Sequence, residues 1–77
     1  MTVFFQLMDT TSGNVIRDYD TEDDALDELR GVARDYGLDE IRELALLRFE
    51  DGRPILVAMG NELIAHLNLA SLAVSQP

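Results

Sequence analysis

The chain has 77 residues, enough for one small domain built round a single core. Hydrophobic residues make up 47% of it, which excludes an intrinsically disordered acidic tail. Fifteen Asp and Glu against six basic residues leave a net charge of -9, which disfavours nucleic acid and anionic membrane surfaces as direct ligands.

Val3 to Met8 (V-F-F-Q-L-M) is aromatic and apolar enough for a strand, and the turn formers Asp9 to Asn14 follow it. Val15 to Tyr19 then reads as the return strand of a hairpin. Plain alternation puts Val15, Arg17 and Tyr19 on one side of it, with Ile16 and Asp18 on the other. Ala25, Leu26, Leu29, Val32, Ala33 and Tyr36 fall on one helical stripe, predicting a helix over 22–36. Thr21 is its N-cap, and Glu22, Asp23 and Asp24 oppose the positive end of the helix dipole. Gly37 is a natural stop, after which Leu38 can fold back onto the last turn.

Residues 39–43 are open to a short helical turn through Ile41 and Leu44. Leu44 to Phe49 predicts a third, mostly buried strand, and Asp51-Gly52 predicts a tight hairpin turn. The fourth strand runs from Ile55 to Met59, with Pro54 at its start. Asn61 is a candidate cap for a second helix over 62–73. The expected fold is therefore α+β, in the order β-β-α-β-β-α, as a single domain over 1–77 with strands at 3–8, 15–19, 44–49 and 55–59. A mainly antiparallel four-stranded sheet with two helices packed on one face accommodates that order. Strand order within the sheet is not legible.

Charge is distributed unevenly. Residues 1–40 hold eleven acidic and three basic residues, whereas residues 41–77 hold four and three. The excess concentrates between Asp18 and Glu28. In the second helix Leu63, Ile64, Leu67, Ala70 and Val74 form one apolar stripe, and Ala65, Leu69, Leu72 and Ala73 form a second on roughly the opposite side. A two-layer domain buries one side of such a helix, so the second stripe predicts self-association, with a dimer favoured.

Chemistry-bearing constellations are few. Asp18, Asp20 and Glu22 are spaced like calcium-loop ligands, but the required sixth-position Gly is Asp23 and the twelfth-position carboxylate is Leu29. Asp20, Asp23, Asp24, Asp27 and Glu28 lie opposite the apolar stripe, in water, without the desolvation that separates a catalytic carboxylate pair. His66 is the only histidine, and no Gly-x-Ser-x-Gly elbow accompanies it. Phe4, Phe5, Tyr19, Tyr36 and Phe49 read as core aromatics in the absence of a basic groove. Without Cys there is no disulfide framework, thiolate nucleophile or Cys-based zinc site. No cofactor or metal is expected.

What remains is the row Asp20, Glu22, Asp23, Asp24, Asp27 and Glu28 as a docking face for a basic protein, or as an imitation of the phosphate row of DNA. The expected function is a small, non-catalytic interaction or regulatory module that self-associates. The alternative is an enzyme or small-ligand binder whose pocket forms at an oligomer interface and uses His66. All six basic residues are Arg, as a GC-rich coding bias or a salty cytoplasm favours, which suggests a prokaryotic intracellular protein. No apolar run reaches the roughly 18 residues of a membrane span, and Met1 leads straight into a strand-like segment, so neither a span nor a signal peptide is expected and the expected location is cytoplasmic.

The stretch Val15 to Leu29 (V-I-R-D-Y-D-T-E-D-D-A-L-D-E-L) resembles the strand-Thr-x-Glu-x-Ala-Leu-helix passage of HicB-like antitoxins. It is also similar to small bacterial proteins of strand-strand-helix plan. The Pro- and Gly-rich strand that usually precedes this passage in the antitoxins is missing, as is a separate DNA-binding tail. The resemblance implies a small acidic regulator that binds a basic toxin.

Overall fold

The computed structural model describes residues 2–75, with side chains through residue 68. In chain order these are β1 (Val3–Asp9), β2 (Val15–Tyr19), α1 (Glu22–Tyr36), α2 (Leu38–Arg42), β3 (Leu44–Glu50), β4 (Arg53–Met59) and α3 (Asn61–Ser75). The class is α+β, with one four-stranded sheet in the order β2-β1-β3-β4 and every neighbouring pair antiparallel. β1 and β3 take the centre, each paired on both sides. The strands carrying Arg17, Asp18 and Pro54 lie at the edges, where Pro leaves no ladder bond unmade.

Both edge strands are bulged. Leu7 pairs with Arg17 but Met8 with Val15, so Ile16 is the extra residue; Leu46 pairs with Ala58 but Leu47 with Leu56, so Val57 is the other. The first bulge corrects the simple alternation read along β2. Arg17 and Tyr19 keep the face of Leu7 and Phe5, but Val15 crosses to the face of Met8. The turn between β3 and β4 is a two-residue type I′ turn, since Asp51 (φ 51) and Gly52 (φ 85) are both left-handed. Thr2 extends the sheet beyond it: its N–H donates to Asp51 Oδ1 at 2.8 Å, and the Asp51 N–H donates to the Thr2 carbonyl at 2.8 Å.

One buried cluster joins Phe5, Leu7, Leu46 and Ala58 of the sheet to Ala25, Leu26 and Leu29 of α1, Ile41 of α2, and Leu63 and Leu67 of α3. The short helix α2 occupies the segment that the sequence leaves open. It anchors through Ile41, which is fully buried, while Arg42 pairs with Asp39 on its outside. Gly37 lets α2 follow α1 at once, because its φ of 94° with an extended ψ of 168° suits glycine alone. Leu38 consequently starts a new helix and stays 46% exposed.

Three further expectations are corrected. Tyr36 is 75% exposed, so the buried stripe of α1 ends before it. Of the five aromatics, only Phe5 reaches the buried class, with Tyr19 packed partly against the cluster. Asn61 is the first residue of α3 and not its cap. The Gly60 carbonyl takes the first helical N–H groups, and Asn61 Oδ1 accepts from Arg42 Nε at 3.1 Å, tying α3 to α2.

The alternate positions of the sheet form three rows on the face opposite the cluster: Phe4–Phe49–Pro54, Gln6–Leu47–Leu56 and Met8–Ala45–Met59. Phe4 and Phe49 stack, with ring centroids 4.8 Å apart and planes 4° from parallel. Among the described residues no helix is long and apolar enough to cross a membrane.

Candidate functional site

The acidic residues assemble where β2 hands over to α1. Thr21, in extended conformation, caps the helix by accepting from the Asp24 N–H at 3.1 Å, and the chain turns there so that Asp20 precedes the first turn. Ala25, Leu26 and Leu29 are drawn into the core. The 3.6-residue period then sends Asp23, Asp24, Asp27 and Glu28 outward, and all four are exposed, as is Asp20.

Two of these five are held by cations of the chain itself. Arg30 Nη1 lies 2.8 Å from Asp27 Oδ1, and Arg17 Nη1 lies 3.5 Å from Glu28 Oε1. Among the described residues Asp20, Asp23 and Asp24 have no such partner. Exposed pairs of this kind contribute little to stability, about 0–1 kcal/mol.

Beside this face runs an open groove of about 340 Å³ lined by Arg17, Asp18, Tyr19, Asp20, Asp24 and Glu28. A second groove, about 510 Å³, shares Asp24 and Glu28 and continues past Gly31 and Val32 to Tyr36. Tyr19 lines the first, with the Arg17 guanidinium 5.7 Å from its ring centroid. The Tyr19 hydroxyl is buried without a hydrogen-bond partner among the described residues. Burial raises its pKa above the ordinary 10.0, the Glu28 carboxylate raises it further, and Arg17 opposes both. The phenol therefore stays neutral, a donor with no partner among the described residues, on a residue that lines the groove.

Tyr19, read from the sequence as a core aromatic, packs partly against the cluster and also lines this groove. The signal available was its position two residues after Arg17 on a strand leading into the acidic helix. His66 is brought elsewhere: Nε2 lies 2.9 Å from Glu22 Oε2, so the imidazole bridges α3 to the first turn of α1. It faces neither groove. Among the described residues no group of three or more His, Cys, Asp or Glu is arranged to hold a metal ion. The self-association stripe is divided. Ala65 is exposed, and the side chains of Leu69, Leu72 and Ala73 lie outside the described residues.

The site as built offers carboxylates in water, a neutral phenol and two shallow grooves. It can pair with cationic side chains, each gaining a charge-assisted hydrogen bond. It lacks the enclosed, desolvated setting in which two carboxylates divide the roles of acid and base. The chain matches no family model, no curated protein and no solved structure.

Proposed function

We propose that this chain is a small, non-catalytic protein-interaction or regulatory module whose acidic α1 face docks a basic protein segment. The observation carrying this reading is that Asp20, just before α1, and Asp23 and Asp24 in its first turn are exposed without an intrachain cation among the described residues, with Asp20 and Asp24 lining the open grooves. The resemblance of residues 15–29 to HicB-like antitoxins supports the same reading, with a basic toxin as the kind of partner it implies. The excess of negative charge would speed the encounter and make it salt-dependent. Self-association through Ala65, Leu69, Leu72 and Ala73 is the second element of the proposal.

The test is fluorescence polarisation with a labelled Arg-rich peptide as probe. Binding is expected at low salt, weakening as salt rises, and reversing Asp23, Asp24 and Asp27 to Lys should weaken it at least about tenfold, a loss of about 1.4 kcal/mol. Equal affinity of the triple variant would refute the acidic face as the docking site.

A further inference from the structure

Arg17 and Tyr19 stand two residues apart on β2 and share the sheet face of Leu7 and Phe5, against which α1 packs. Glu28 of α1 meets them there. The Arg17 guanidinium lies 5.7 Å from the Tyr19 ring centroid, and its Nη1 lies 3.5 Å from Glu28 Oε1. Among the described residues every other Arg–carboxylate pair lies within a single element, so only this one ties the acidic row of α1 to a strand.

All three side chains line the groove of about 340 Å³, together with Asp18, Asp20 and Asp24. A carboxylate beside an aromatic face is a seat suited to a planar guanidinium, which can pair with the one and stack on the other. We infer that Arg17 is an autoinhibitory cation, filling the Tyr19–Glu28 seat that an arginine of the basic partner takes when it docks. This rests on the docking reading above, and adds to it the side chain the partner presents and the residue that holds it off.

The geometry is that of a displaceable occupant. A charge-assisted N–H···O bond is best at about 2.7–2.9 Å, and cation–π attraction acts within about 6 Å of the ring centroid. Arg17 therefore makes both contacts toward the far end of their range. Its side chain is 67% exposed and that of Glu28 45%, which leaves the pair open to competition from solvent and from other cations. Arg30 differs, with Nη1 at 2.8 Å from Asp27 Oδ1 across one turn of the same helix. Asp20 and Asp24, at the same groove, have no intrachain cation among the described residues and can take further cations of the partner. Because Arg17 is tethered, it competes at every partner concentration. Filling the seat for about two thirds to nine tenths of the time raises the apparent Kd about 3–10-fold.

Polarisation titrations of the intact chain with the labelled Arg-rich peptide test the inference. Arg17→Gln should bind the peptide at least about threefold more tightly than the wild type. Arg53→Gln removes the same charge from β4, at the opposite edge of the sheet, and should change the affinity by less than about 1.5-fold. A Lys-rich peptide of equal length should gain less from Arg17→Gln, because an ammonium neither stacks nor pairs bidentately. In the unmodified chain the Arg17 Nε–H resonance should move as the Arg-rich peptide is added, while that of Arg53 stays in place. Equal affinity of Arg17→Gln and the wild type would overturn the inference and leave the docking face standing. So would equal tightening by Arg53→Gln, equal gain for the two peptides, or an Arg17 resonance unmoved at saturation. Failure of all three chains to bind would remove the docking reading, and the inference with it.

Discussion

The side of the molecule built by α1 and β2 and the outer face of the sheet differ in what they leave exposed. On the first, Ala25, Leu26 and Leu29 of α1 turn inward and its carboxylates turn out, where they are well hydrated without a partner. On the second, Leu56 and Met59 stand about half-exposed to solvent. A surface of the first kind gains by meeting cations and loses that gain in salt. A surface of the second kind gains by losing water, and salt leaves it nearly unchanged. The two surfaces therefore differ in how ionic strength would act on any contact they make, and the contrast separates them experimentally.

The largest expected effect tests whether the two faces of the sheet differ as described. Leu46→Ala should cost about 2–5 kcal/mol in urea unfolding, because Leu46 is fully buried between β1, β4 and the helices. Leu56→Ala, measured at concentrations where the chain is monomeric, should fall within about 0.5 kcal/mol of the wild type. Similar losses for the two would mean that the outer face is covered, and would remove the distinction. The acidic side has its own structural dependence on Thr21. Thr21→Ala should cost about 1 kcal/mol by orphaning the Asp24 N–H, and should weaken peptide docking further by fraying the turn that carries Asp23 and Asp24. Unchanged thermal stability would show that the first turn does not rely on its cap.

The smallest effect is confined to alkaline pH. The phenol of Tyr19 has its pKa raised by burial and by Glu28, so the folded chain keeps a proton that the unfolded chain gives up near pH 10.0. This contribution to stability is fully present below that value and is lost as pH rises through the higher folded-state value. Tyr19→Phe should abolish that alkaline decline and leave stability near neutral pH almost unchanged. A decline of equal size in the variant would place its origin in another group.

Much of this architecture was legible residue by residue. The α1 boundaries, its Thr21 cap and the Asp51-Gly52 turn are set by interactions within a few residues, and the structure has them at the expected positions. The outward row of acids followed from helical period alone. The misreadings share a cause, which is that each depended on a partner distant in sequence. Asn61 looked like a cap until Arg42 was beside it, 19 residues earlier. Tyr36 continued an apolar stripe for which there was no core left to meet, and His66 acquired its role from Glu22, 44 residues away. The Val15 side chain changed face because a bulge shifted the register, and register belongs to two strands and not to one.

Local periodicity, turn chemistry and charge by themselves determined an acidic α+β chain with four strands, a capped acidic helix and a surplus of apolar surface. Tertiary structure decided where that surplus goes: it set β1 and β3 in the centre, filled the gap after Gly37 with α2, and left Leu56 and Met59 on the alternate side of the sheet half-exposed. The physical reason is one of range. Hydrogen bonds within a turn are settled by neighbours in sequence, whereas the burial of a side chain is settled by whichever distant segment comes to cover it.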